Sequence, residues 1–294
     1  MGQSRDRDKF KHLVAALKRF DSLVVAFSGG VDSSFLLAVA CQAITGRVVA
    51  VTAESPVHPV REKKAAAEFA RRLGVEHVIV KSGEMKLSDF VANSKDRCYI
   101  CKKHVLTEIL NIASQMGICR VAHGANVDDL GDYRPGLKAA EEMGVAAPLV
   151  EAGLGKDEIR RFSREMNLNT WNKPSMACLA SRIPYGTSIT PAALNMVERA
   201  EDVLLGLGFR TCRVRYHGRT ARIEVDPGDM QLLLKHEVRE KVVAQLKRIG
   251  FTHVAADLEG YVQGSMNRDL GSGAGTAAGL KSGWIDQTRN FDGK

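Results

Sequence analysis

Ser28-Gly29-Gly30-Val31-Asp32-Ser33 places two glycines, two hydroxyls and a carboxylate in six consecutive positions. Between an apolar strand and an apolar helix, such a string suits phosphate. The glycines let the main chain approach closely, and the N–H groups opening the helix point at the anion. Ser28 and Ser33 add hydroxyl donors, and Asp32 can hold Mg²⁺. The lysine of GxxxxGK[ST] is missing, so a kinase-like or GTPase-like loop is unsupported. The ordinary alternative, a serine-capped glycine turn, fits the strand–turn–helix context less well.

Cysteines form a second constellation. Of six, Cys98 and Cys101 cluster in Arg97-Cys98-Tyr99-Ile100-Cys101-Lys102, and Cys178 is a third candidate ligand. A CxxC opening a helix brings two thiols together, and Arg97, Lys102 and Lys103 are expected to favour thiolates. Three thiolates are one short of a closed structural zinc site. They suit a [4Fe–4S] cluster with one iron left open to carry an extra sulfide. Zinc completed by His104 or His123 is the alternative. Cys41, Cys119 and Cys212 lie within apolar elements and read as small buried hydrophobes.

Charged residues add two further groups. In His123-Gly124-Ala125-Asn126-Val127-Asp128-Asp129, glycine permits a close approach and the paired carboxylates could hold Mg²⁺ beside pyrophosphate; a solvated acidic turn is the alternative. Arg134, in Asp132-Tyr133-Arg134-Pro135-Gly136, could grip phosphate in a bidentate way. Arg213 and Arg215 share one face of a strand, as do Arg222 and Glu224. That face suits phosphate or carboxylates, unless it is merely solvated.

The elements that must position these residues follow from periodicity. Leu23 to Phe27, Arg47 to Thr52, Val75 to Val80 and Arg120 to His123 read as buried strands. Helical patterns run from Val31 to Ala43, Pro59 to Leu73 and Tyr99 to Met116. Repeated strand–helix units with continuous apolar strands predict an α/β fold with a parallel sheet covered on both faces. From Thr190 the rhythm becomes α-β-β-α-β: a helix to about Leu207, a hairpin around His217-Gly218-Arg219-Thr220, a helix from about Gly228 to Ile249, and a strand from Thr252 to Leu258. In that last helix Met230, Leu234, Val238, Val242, Leu246 and Ile249 are expected on one face. We therefore expect a nucleotide domain over 1–188, a smaller α+β domain over 189–263, and a flexible Gly/Ala/Ser-rich tail over 264–294.

The chain has 294 residues, 45% hydrophobic and 26% charged, with a formal charge of +8. No apolar run approaches the roughly 20 residues that span a bilayer, and the charged start lacks a secretory h-region. A cytoplasmic protein is expected, with no membrane partner. The basic excess is scattered, which fits a small polyanion such as ATP better than nucleic acid.

SGGVDS resembles the PP-loop of the N-type ATP pyrophosphatases, and Pro148-Leu149-Val150 with Lys156-Asp157-Glu158-Ile159-Arg160 resembles a helix of that superfamily. Trp171-Asn172-Lys173-Pro174, Ser181-Arg182-Ile183-Pro184-Tyr185-Gly186 and the segment around Arg134 are similar to the LarE family. The resemblance runs from about Val14 to Asn267. It implies an adenine-nucleotide α-hydrolase-like fold and an ATP-dependent sulfurtransferase of nickel-pincer nucleotide synthesis. ATP and Mg²⁺ would bind at Ser28, Gly29, Gly30, Asp32, Ser33, Gly124 and Arg134, with Asp128 as a further Mg²⁺ ligand. Arg182, Glu201, Arg213, Arg215 and Glu224 would meet the substrate, pyridinium-3,5-biscarboxylate mononucleotide.

Some LarE-like proteins sacrifice a cysteine, which aligns with Ala177 here; others carry three cysteines in the pattern of Cys98, Cys101 and Cys178, implying a cluster. Cys178 as a sacrificed residue, a tRNA thiolase, and a nucleotide-binding or redox-sensing module without turnover remain the rival expectations. A sulfur donor and a homo-oligomer are expected as partners.

Overall fold

The computed structural model describes residues 2–131, 135–175, 177–262 and 264–270. Helix α1 (Gly2–Lys18) buries Leu13 and Leu17 against the unit formed by β1 (Leu23–Ala26) and α2 (Val31–Ala43). Apolar on nearly every side, α2 is almost entirely buried, as expected of a helix without a polar face. The chain continues through β2 (Val48–Glu54), α3 (Val60–Leu73) and β3 (Glu76–Lys81). The short α4 (Ser88–Val91) then leads into α5 (Arg97–Gln115) and β4 (Val121–His123).

These strands form one parallel sheet in the order β3-β2-β1-β4. Alternation sorts their side chains: Leu23 and Val25 pack among Leu13 and Phe35, while Val24, Val49 and Val51 pack against Leu106 and Ile109 of α5. From β1 the chain steps outward to β2 and β3, then crosses to β4 on the far side of β1. Connections therefore leave β1 and β4 in opposite directions and open a crevice at their carboxyl ends, where α/β sheets bind ligands.

Helices α6 (Pro135–Glu142), α7 (Pro148–Glu151) and α8 (Lys156–Glu165) follow, the last lying against α2. A 3-10 turn at Leu179–Arg182 precedes α9 (Pro191–Gly206). Thr190 caps α9 by accepting the Ala193 N–H at 3.1 Å, with proline in the first turn, as its sequence predicts. Strands β5 (Cys212–His217) and β6 (Thr220–Val225) make the expected antiparallel hairpin. After α10 (Met230–Leu234) and α11 (His236–Ile249), β7 (His253–Ala256) pairs parallel to β6. Val214, Ile223, Leu204, Val242 and Leu246 form a separate core behind this small sheet.

The helix expected over Gly228 to Ile249 is instead two. Lys235 is extended, with ψ 134°, and breaks it. The break rotates the apolar face, so Leu233 is buried while Leu234 is 57% exposed. Within the expected tail, Ser265–Leu270 forms a short 3-10 helix, and residues 271–294 lie outside the described residues. Among the described residues, no helix is long and apolar enough to cross a membrane.

Candidate active site

The string at 28–33 leaves β1 and enters α2 at the crevice. Gly29 has φ 70°, and a Cβ there would lie 2.8 Å from the Ala66 Cβ of α3. Glycine thus serves both backbone conformation and fit. At the end of β4, a Cβ on Gly124 would lie 2.8 Å from the Ser33 nitrogen. The Ser28 and Ser33 hydroxyl oxygens are 3.0 Å apart. The first bond of α2 runs from Ser34 N–H to Gly30 O at 3.0 Å, so the N–H groups ahead of it have no intrahelical partner. A loop of this kind can take an anion on backbone donors.

Two lysines that the motif reading left without a role close on this loop. Lys156, at the start of α8, pairs with Asp32. Lys173 donates to the Gly29 carbonyl at 2.8 Å and pairs with Glu62 at 2.6 Å. Asp32 Oδ1 is buried with no hydrogen-bond partner among the described residues, which leaves it open to a cation. Asp128 accepts the Lys156 backbone N–H at 2.6 Å. Asp129 accepts the Asn126 N–H at 3.1 Å and belongs to its own turn. The two adjacent carboxylates thus accept from different segments in this structure. Arg134 lies outside the described residues.

Cys98 lies in the first turn of α5 and Cys101 opens the second, and Cys178 immediately precedes the Leu179–Arg182 turn. Leu179 N–H donates to Val57 O at 2.8 Å, which hangs the Cys178 segment on the connection leaving β2. Cys101 and Cys178 pack against the same apolar cluster of Val57, Phe90, Leu179 and Ala180. Cys98 is exposed as a residue, yet its thiol is desolvated: that loss of hydration and then Cys178 push it up. Burial, Cys178, Glu84 and Cys98 push Cys101 up further.

This reverses the expectation that basic neighbours favour thiolates. Arg97 pulls Cys98 down and Lys102 pulls Cys101 down, but desolvation of the sulfurs outweighs both. Burial also lowers Lys102, and it pushes His123 to about 3 with help from the Lys102 charge. His104, one zinc alternative, already accepts the Gly83 N–H on Nε2 at 3.1 Å.

The donor set fits a thiophilic centre in residue type, because a bound cation would relieve the mutual repulsion. Among the described residues, no ready-made nest of three or more His, Cys, Asp or Glu side chains is present, so the thiols would have to turn inward to share one. Elsewhere, burial raises Cys41 to about 11 and Cys212 to about 12. Cys119 is exposed, contrary to expectation, because it sits in the connection between α5 and β4.

On the polar face of the small sheet Arg213, Arg215 and Glu224 are buried and Arg222 is partly exposed. Arg213 pairs in register with Glu224, and Arg215 with Arg222. Arg215 grips Glu224 at 2.8 and 2.6 Å and donates to Ser181 O at 3.0 Å. Arg213 donates to Ser175 O at 2.7 Å and lies over the Tyr261 ring. The face is therefore turned onto the segment that carries Cys178. Arg182, fully buried, holds Glu201 at 2.8 and 3.1 Å and donates to Ala177 O and Cys178 O at 2.7 and 2.9 Å. Burial opposes the Glu201 charge, but Arg182, Arg213 and the Val214 N–H hold its carboxyl below the usual range. Beside this network lies a cavity of about 200 Å³ lined by Arg61, Lys173, Arg210 and Arg213 with Glu62 and Glu201. Its cationic excess suits an anionic ligand.

Comparison with known proteins accords with this geometry. The asparagine synthase family model matches residues 7–123. The chain is 37% identical over 260 residues to the pyridinium-3,5-bisthiocarboxylic acid mononucleotide synthase of Lactiplantibacillus plantarum, covering 88% of this chain and 93% of that protein. It is 38% identical over 262 residues to an uncharacterized protein of Synechocystis sp., covering 89% and 98%. An uncharacterized protein of Methanocaldococcus jannaschii is 27% identical over 255 residues, covering 87% and 93%.

Proposed function

Because the chain belongs to the LarE family of PP-loop, ATP-dependent sulfurtransferases, we propose that it converts a carboxylate of pyridinium-3,5-biscarboxylate mononucleotide into a thiocarboxylate. The observation that carries this reading is topological. The phosphate loop after β1, the Cys178 segment hung on the connection after β2, and the first turn of α5 all lie at the carboxyl edge of one sheet. In this reading residues 1–188 supply ATP and sulfur chemistry, and residues 189–263 bring the arginine-bearing sheet face onto the substrate.

A substrate carboxylate oxygen attacks the α-phosphorus of ATP, the bond from that phosphorus to the bridging oxygen breaks, and pyrophosphate leaves. Backbone N–H groups of residues 29–33 and the hydroxyls of Ser28 and Ser33 hold the phosphates, which is positioning and electrostatics. Lys156 turns from Asp32 to the phosphates. Mg²⁺, when bound, would be held by Asp32 with Asp128 and would neutralise phosphate charge. Sulfur then attacks the acyl carbon, the carbon–oxygen bond to AMP breaks, and AMP leaves. Cys98, Cys101 and Cys178 would hold a [4Fe–4S] cluster, which supplies a place where sulfide from a donor can be bound repeatedly. Arg182 fixes the Cys178 carbonyl, and Arg213, Arg215 and Arg61 present positive charge to the anionic nucleotide.

The test is an anaerobic incubation with ATP, Mg²⁺ and the pyridinium dicarboxylate nucleotide, followed by mass spectrometry of nucleotide and protein. Thiolated nucleotide with unchanged protein mass over several turnovers is expected. A protein lighter by the mass of H₂S would move the sulfur source to Cys178 itself. Absence of thiolated nucleotide would overturn the substrate. Separately, Cys101→Ala is expected to abolish iron uptake while leaving ATP binding intact; retained iron would remove these ligands.

A further inference from the structure

Two buried side chains that no motif singled out join the segments bearing the thiols. Asn93 is fully buried and adopts φ 58°, a conformation asparagine tolerates better than most residues. Its amide nitrogen reaches Ile183 O, Pro184 O and Thr187 O at 3.3, 2.8 and 2.9 Å. Its own carbonyl accepts the Gly186 N–H at 3.1 Å. Arg97, 3% exposed, opens α5 beside Cys98. It donates to Asn93 Oδ1, to Ala180 O at 3.1 Å and to Ile183 O at 3.4 Å, and its guanidinium lies 4.5 Å from the centre of the Tyr185 ring.

Apart from their bond to each other, these side-chain bonds go to residues 180–187, a stretch that starts two positions after Cys178. Ile183 O and Thr187 O are bonded from the side of α5, while Ala180 O and Pro184 O also accept the Ile183 and Thr187 N–H groups of their own segment at 3.1 and 3.0 Å. Loss of the donors would leave the stretch tied to the approach to α5 only by backbone bonds at Gly186 and Ile189, and so looser near Cys178.

We infer that Asn93 and Arg97 are positioning residues that set the separation between the Cys98/Cys101 turn and Cys178, so that three sulfurs can serve one centre. The inference rests on the proposed role of those thiols. Residue type matters at both positions. Asn93 must donate to carbonyls while accepting from Arg97, which aspartate cannot do. Arg97 must reach the asparagine oxygen and two carbonyls from one planar group.

Asn93→Asp keeps the size, the tolerance of positive φ and the acceptor for Arg97, but turns an oxygen toward three carbonyls. Arg97→Lys keeps the charge and loses the fork. The full chain, reduced and metal-free, would be treated with dibromobimane, which becomes fluorescent on bridging neighbouring thiols, and the bridge located by peptide mass mapping. Iron per chain after anaerobic reconstitution and ATP binding would be measured on the same samples.

Wild type is expected to bridge Cys178 to Cys98 or Cys101. Asn93→Asp should cut bridging and iron uptake about tenfold, the scale of losing one or two buried hydrogen bonds, with ATP affinity retained. Arg97→Lys should fall between the two. Wild-type bridging in either variant would overturn the inference, as would ATP affinity falling in step with bridging in both variants, since that marks a general structural role. Wild type that bridges its thiols yet takes up no iron would sink the iron reading while still supporting the clamp.

Discussion

Gly124→Ala isolates the fit between the end of β4 and the phosphate loop. Gly124 does not have positive φ, so a methyl group adds no backbone strain there and acts by contact alone. The new Cβ would stand 2.8 Å from Ser33 N, 2.9 Å from Ser33 Cα and 3.1 Å from Asp32 C. Carbon contacts settle at about 3.5–4.0 Å, so loop or strand must retreat by roughly 0.5–1 Å. The atoms met are backbone and cannot swing aside as a flexible side chain would. A shift near 1 Å in a positioning group costs about 10²-fold in rate. Overpacking of this size costs about 1–3 kcal/mol of stability. ATP-dependent pyrophosphate release should therefore drop about 10²-fold in kcat/KM, while thermal unfolding falls by about 2–4 °C per kcal/mol lost. Pyrophosphate assay and scanning calorimetry on the same preparation would check both. Activity within about twofold of wild type would refute the claim that the loop carries the nucleotide phosphates against β4, since a twofold change is only about 0.4 kcal/mol.

Gly206→Ala is the matching control: it ends α9 with nothing within 4 Å of the new Cβ, so calorimetry should show a gain of up to about 1 kcal/mol. Arg182→Met leaves Glu201 buried without its main partner and should cost roughly 3–5 kcal/mol in urea unfolding; adding Glu201→Leu should recover part of the loss. Glu201 has a depressed folded-state pKa, so its contribution is complete above the ordinary carboxylate value of about 4.3 and is lost as pH falls through the lower folded value. Urea titrations across that acid range should accordingly show wild type losing stability faster than Glu201→Gln.

What the amino-acid order determined by itself is local. The run Leu23 to Phe27 followed by glycines, the Thr190-Pro191 cap and the turn around Gly218 each depend on neighbours a few residues apart, and each appears where its chemistry requires. The phosphate loop was legible for the same reason, since its donors belong to one turn. Lys235 escaped because nothing in its immediate surroundings marks a break; packing decides that Leu233 rather than Leu234 faces the core. Tertiary structure alone decided the pairings that give the site its character. Lys156 meets Asp32 across 124 residues, and Arg182 meets Glu201 across 19. The direction of the thiol shifts belongs to the same class. Basic neighbours in sequence suggested thiolates, but desolvation depends on which chain segments close over a sulfur, and it exceeds the pull of Arg97 and Lys102. Desolvation of a sulfur is a property of the packed whole, so no window of sequence around Cys98 or Cys101 could carry it.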